Sequence, residues 1–129
     1  MSFVVEQLPD KPVVIIRITD SFDWETETPR IIEEVASLMD GWTDRLIFRV
    51  TDFTQAEYKF GEVVQALGAE TQGGPGSIAD PRVRPIYVGG DDLIQLAAQS
   101  TNQTQYGKIN VLYFATMDEA MTYIEAVLS

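Results

Sequence analysis

The stretch from residue 109 to residue 128 reads Ile109-Asn110-Val111-Leu112-Tyr113-Phe114-Ala115-Thr116-Met117-Asp118-Glu119-Ala120-Met121-Thr122-Tyr123-Ile124-Glu125-Ala126-Val127-Leu128. Its first six residues, mostly β-branched or aromatic, predict a strand. Thr116 and Glu119 then match the S/T-x-x-E capping box, in which two side chains satisfy backbone N–H groups left without partners at a helix start. Ala120, Met121, Ile124, Val127 and Leu128 complete one stripe of a C-terminal helix. A strand running into a capped amphipathic helix is the repeating unit of an α/β protein.

The same alternation continues back toward the N-terminus. Phe3 to Leu8 and Val13 to Ile18 read as two strands joined by the turn Pro9-Asp10-Lys11-Pro12. Val13-Val14-Ile15-Ile16 is continuously apolar, as a strand covered on both faces requires. Thr28-Pro29 predicts a helix start, with Ile31, Ile32, Val35, Leu38 and Met39 on one stripe and Gly41 at its C-terminal turn. Leu46 to Val50 predicts the third strand, and Phe60 to Thr71 a second helix carrying Phe60, Val63, Val64 and Leu67. Pro85 to Val88 is a short fourth strand stopped by Gly89-Gly90. Asp91 caps a third helix with Leu93, Ile94, Ala97 and Ala98. The order β-β-α-β-α-β-α-β-α predicts one α/β domain over residues 1–129, a five-stranded, mostly parallel mixed sheet with four helices.

Composition narrows the chemistry. The chain has 129 residues, long enough for one core without disulfides or metal. Nine basic residues against twenty acidic ones give a net charge of −11. That disfavours nucleic acid and anionic membranes, because phosphate contacts need clustered Lys and Arg. Cys and His are both absent, which removes disulfides, thiol nucleophiles, imidazole bases and most transition-metal sites. Residues 1–8 have no signal-peptide pattern, and no run approaches the ~18 apolar residues of a membrane span. The expectation is a soluble cytoplasmic protein that binds no cofactor and is not an enzyme.

Several segments are candidate sites. Ligands of open α/β sheets bind outside the carboxyl ends of the strands, which here are Asp52-Phe53-Thr54, Gly89-Gly90-Asp91-Asp92 and Ala115-Thr116; turns and caps explain Asp91 and Thr116 equally well. Val88-Gly89-Gly90 lacks both phosphate-loop patterns, and Asp91 and Asp92 would repel a phosphate. Asp20 to Glu27 holds four carboxylates but no EF-hand spacing, so it reads as a solvated acidic loop. The Gly73 to Pro85 segment is long for an α/β connection. It carries Arg82 and Arg84, able either to receive a carboxylate or to pair with surface acids. Trp24 reads either as a plug at the core edge or as an anchor for a partner. Phe22, Trp24, Trp42 and Phe53 could line an apolar pocket, or simply pack in the core. A carboxylate hydrolase would need two acids placed across a substrate, and the spacing singles out no pair.

The element order, the length and the ending INVLYFA–TMDEAMTYIEAVL resemble the STAS domain, the anti-sigma-factor-antagonist fold, and in particular the STAS-like proteins of bacterial genomes without an assigned activity. STAS regulators switch by phosphorylation of a serine in a D-S-S-G-like turn opening the second helix. The corresponding turn here is Tyr58-Lys59-Phe60-Gly61; Gly61 matches, neither serine is present, and Thr54 is the nearest hydroxyl upstream. The resemblance therefore implies a binding or regulatory module without the phosphoserine switch, acting through a protein partner or a homodimer. Its expected contact residues are Asp52, Thr54, Tyr58 and Lys59, with Arg82 and Arg84 on the long loop. The alternative expectation is a carrier for a small apolar or lipid ligand held between sheet and helices.

Overall fold

The computed structural model describes residues 2–9, 11–19, 22–40, 46–103 and 107–129. Strands β1 (Phe3–Gln7), β2 (Val13–Ile18), β3 (Ile47–Asp52), β4 (Val83–Val88) and β5 (Leu112–Phe114) form one five-stranded sheet in chain order. β1 pairs antiparallel with β2, and every later pair is parallel. Helices α1 (Trp24–Leu38), α2 (Phe60–Glu70) and α3 (Asp92–Ser100) make the crossovers, and α4 (Met117–Leu128) follows β5. The expected α/β architecture is the one observed.

Because the strand order never reverses, crossovers of one hand place their helices on the same face. Ile31 and Val35 of α1, Val63 and Leu67 of α2, and Ile94 and Ala97 of α3 pack there against Val14, Ile16, Ile47, Val83 and Tyr87. Among the described residues only α4 covers the other face, setting Ala120 and Ile124 on Val13, Ile15, Phe48, Val50, Ile86 and Val88. Both faces of β2 are buried, as its apolar run predicts.

Four boundaries differ from the sequence reading. Helix α1 starts at Trp24, not at Thr28-Pro29, because Asp23 caps it: its carboxylate accepts from the N–H groups of Glu25 and Thr26 at 3.1 and 3.2 Å. Pro29 therefore lies inside the helix, on its exposed side, where its missing N–H leaves the Glu25 carbonyl without an i+4 donor. Burial of Trp24 and Thr28 offsets that loss, Thr28 also donating its hydroxyl to the Trp24 carbonyl at 2.6 Å.

Strand β3 runs two residues further than expected, through Asp52, since its whole length is buried. Strand β4 starts at Val83 and includes Pro85. The Ile47 N–H reaches Arg82 O and the Phe53 N–H reaches Val88 O, so even-numbered residues of β4 face β3 and Pro85 faces away from it. On that side β5 pairs only from Ile86 onward, and the absent N–H leaves no ladder bond unmade.

Strand β5 is correspondingly short, Leu112–Phe114 rather than Ile109–Phe114. Lys108 adopts φ 56° and Gly107 φ 83°, turning Ile109 back so that its N–H bonds to the Thr101 carbonyl at 2.8 Å instead of to β4. The buried Thr101 hydroxyl makes contacts with the Ala98 and Ile109 carbonyls. Gly41, the expected C-terminal turn of α1, lies outside the described residues, as do Asp10, Asp20, Ser21 and Trp42.

Candidate functional site

Parallel strands joined by crossovers of one hand gather the starts of α1, α2 and α3 at the carboxyl end of the sheet. There a cleft of about 560 Å³ is lined by Phe22 and Trp24 before and at the start of α1, Ala56 to Lys59 ahead of α2, Glu62 on its first turn, and Asp91 at the cap of α3. Phe22, Trp24 and Tyr58 are its aromatic residues, and Phe53, outside the lining, packs on two of them. Phe22 meets Trp24 edge-on at 5.0 Å, Trp24 stacks on Phe53 at 6.1 Å, and Tyr58 stands edge-on to both.

Helix starts carry partial positive charge and attract anions, but these three are already answered by the chain's own acids. Glu27 accepts from the Asp23 N–H at 2.7 Å and from the Ser2 hydroxyl. Glu62 accepts from the Lys59 N–H at 2.8 Å, and Asp91 from the Leu93 N–H at 2.8 Å. With Glu57, the cleft holds three carboxylates against the single ammonium of Lys59. Its chemistry therefore suits an organic cation or a basic side chain better than a phosphate. The acidic stretch read from sequence as a solvated loop is thus partly a helix start, with Asp23 and Glu27 engaged in capping. Among the described residues no cluster of three or more acids could hold a metal ion.

The pKa of the Tyr58 hydroxyl is raised, first by burial and then by the nearby Asp91 carboxylate, which disfavours a phenolate. Tyr58 and Lys59, both expected from sequence, line the cleft. Asp52 and Thr54 sit at the end of β3 just outside it and bond to each other: Asp52 accepts from the Thr54 N–H at 2.9 Å and from its hydroxyl at 2.7 Å.

Arg82 and Arg84 lie at the opposite, amino end of β4, so the six expected residues fall into two groups that the fold keeps apart. Arg82 grips Asp80, Nε to Oδ1 at 3.1 Å and Nη2 to Oδ2 at 2.8 Å. Arg84 donates to the Pro81 carbonyl at 3.2 Å. The segment before them is not a free arm. Ile78 is buried in the core, and Gly76, at φ +83°, lies so close to α1 that a Cβ would meet the Ile32 carbonyl at 2.5 Å.

Beneath the aromatic wall lies a group the sequence reading did not single out. Arg49, central on β3 and 1% exposed, donates Nη2 to Glu70 at 2.7 Å. Glu70 also accepts from the Ile78 N–H at 3.2 Å. Arg49 Nε and Nη1 and Thr51 Oγ1 are buried without a hydrogen-bond partner among the described residues. A small chamber of about 30 Å³ is lined by Thr51, Glu70 and Tyr87 together with Phe22, Trp24 and Phe53. The pKa of Tyr87 is driven far up, chiefly by burial and then by the Glu70 carboxylate. The visible signal was a lone arginine in the apolar run Leu46-Ile47-Phe48-Arg49-Val50; a charge there must be paired if it is buried.

No family model and no curated protein matches the chain. Among solved structures it is similar to an uncharacterized protein of the DUF3478 family with a SpoIIAA-like fold from Shewanella loihica PV-4. The two share 16% identity with a TM-score of 0.58, over 95% of this chain and 91% of the other. The SpoIIAA-like fold is the STAS-like fold, so the resemblance read from element order and the final strand and helix is borne out.

Proposed function

We propose that the chain is a cytoplasmic, non-enzymatic STAS-like binding and regulatory module that engages a protein partner, or a second copy of itself, through the cleft at the carboxyl end of the sheet. The observation carrying this reading is the cleft itself, with Phe22, Trp24 and Tyr58 in its lining and an excess of carboxylates from Glu57, Glu62 and Asp91. A basic side chain of the partner, seated against Tyr58 between Glu57, Glu62 and Asp91, fits that lining. Lacking a serine at the turn Tyr58-Lys59-Phe60-Gly61, the module would be regulated by occupancy and not by phosphoserine. A chain without His or Cys has few of the usual acid–base groups, which supports leaving catalysis out.

Native mass spectrometry of the gently purified protein tests the reading, with Tyr58→Ala and Lys59→Ala beside it. The expected result is a dimer or a defined heteromeric mass that both substitutions diminish. A complex unchanged in both variants would remove the cleft from the proposal.

The second reading, a carrier for a small apolar ligand, is favoured by one observation: the chamber beneath Phe22, Trp24 and Phe53 lies between sheet and helices, where such a ligand was expected. Thermal shift against small apolar molecules examines it, since a ligand binding only the native state raises the melting temperature.

A further inference from the structure

The chamber has an apolar side and a polar end. Phe22, Trp24, Ile31 and Phe53 form the first; Thr51 and Glu70 belong to the second. Thr51 is 5% exposed and its hydroxyl has no hydrogen-bond partner among the described residues. Arg49 lies two residues earlier on the same face of β3, with Nε and Nη1 in the same condition. Buried donors and acceptors without partners cost free energy, and native proteins normally satisfy them with protein groups or a bound molecule. A water needs roughly 10–15 Å³, so a chamber of about 30 Å³ admits a hydroxyl or carbonyl head but not a ring. Phe22 and Trp24 line both this chamber and the large cleft outside it, so a molecule with its head in one and its body in the other rests against them.

Charge decides which head is accepted. The Arg49 guanidinium is already neutralised by Glu70 at 2.7 Å. A carboxylate or phosphate would add an uncompensated buried negative charge beside Glu70, and an ammonium would find that carboxylate already paired; both are strongly disfavoured in a dry interior. A neutral oxygen is not. It can accept from the Thr51 hydroxyl and, when it is itself a hydroxyl, donate to it instead. From the unpartnered Thr51 hydroxyl in an aromatic-walled chamber we infer that the protein binds small apolar molecules bearing one neutral oxygen, an alcohol or a ketone, with the oxygen held at Thr51. The inference rests on the carrier reading and names its ligand class.

Three molecules of similar size separate the possibilities: benzyl alcohol, toluene and benzoate. The melting temperature and the tryptophan fluorescence of the wild-type protein are followed as each is titrated. Benzyl alcohol is expected to bind about three- to tenfold more tightly than toluene, the worth of one neutral hydrogen bond, and benzoate to leave both signals unchanged. Thr51→Val should abolish the preference for the alcohol while toluene still binds, and Thr51→Ser should retain it. Equal binding of alcohol and toluene to the wild type would overturn the oxygen site while leaving the carrier reading standing. Benzoate binding as well as the alcohol would overturn the charge argument and with it the inference. No response to any of the three would bring down both the inference and the carrier reading.

Discussion

Two arginines of this acidic protein meet carboxylates in opposite ways. Arg82 holds Asp80 with two hydrogen bonds in fork geometry while keeping 27% of its side chain exposed. Arg49 holds Glu70 with one, at 1% exposure, and leaves two of its nitrogens without partners among the described residues. By geometry alone the first is the better pair. By consequence it is the lesser, because Arg82 is partly exposed to water and Asp80 also accepts from backbone N–H groups, whereas the interior has nothing to offer a stranded Arg49. The worth of an ion pair here is set by what would be left behind, more than by the contacts drawn.

The sharpest way to break the comparison is Glu70→Ala. It strands Arg49 and unties the Ile78 N–H, and a loss of about 3–5 kcal/mol in urea-unfolding stability is expected. Replacing the pair together, Arg49→Met with Glu70→Leu, should recover most of that loss; a double variant as unstable as the single one would show that volume, not charge, was at stake. Gly76→Ala is next. It places a Cβ against the backbone of Ile32 and Ala36 at a left-handed φ, at a residue whose N–H bonds to Asp80 at 3.0 Å, and should cost about 2–3 kcal/mol.

Asp80→Asn probes the pair whose arginine is partly exposed and carries the smallest effect. Burial pushes the Asp80 carboxyl up, but hydrogen bonds from the Arg82 side chain and backbone and from Gly76, with the Arg82 charge, outweigh it and leave the pKa below the ordinary value. A folded-state value below the unfolded one stabilises the protein fully above the ordinary carboxylate pKa near 4. That contribution is lost as the pH falls from there through the folded value. The gap between wild type and Asp80→Asn, followed by thermal melts, should therefore be constant near neutrality and close on acidification. A gap that persists at low pH would mean that the amide side chain fails there for reasons of packing.

The elements most legible in the sequence were those whose local signals agree with their packing. The capping box at Thr116 and Glu119 forms as read: the Thr116 hydroxyl accepts from the Glu119 N–H at 3.2 Å, and Glu119 accepts in return from the Thr116 N–H at 3.2 Å. Thr28-Pro29 misled because proline after threonine is a good local start signal, while burial of Trp24 and capping by Asp23 are tertiary and local gains that outweigh it. Ile109 to Val111 look like strand in composition but have no free ladder to join beside Pro85. Half of the candidate site was readable: Tyr58 and Lys59 lie ahead of a helix that follows a strand, where open sheets bind. Asp91 was readable as a cap but not as a neighbour of Tyr58 in one cleft, since the two come from different connections. The buried trio of Arg49, Thr51 and Glu70 depends on two elements meeting, and only the arginine announced itself.

The order of the strands in the sheet, identical to their order in the chain, bears on how the molecule is made. Each strand adds to an edge already laid down by its predecessor, so no segment has to wait for a later one before it can pair. Contacts between neighbours in sequence keep loop-closure costs modest, the condition under which domains fold quickly. A chain leaving the ribosome amino end first can build this sheet as it emerges, with β1 and β2 as the first ribbon and the three-residue β5 as the last tile set.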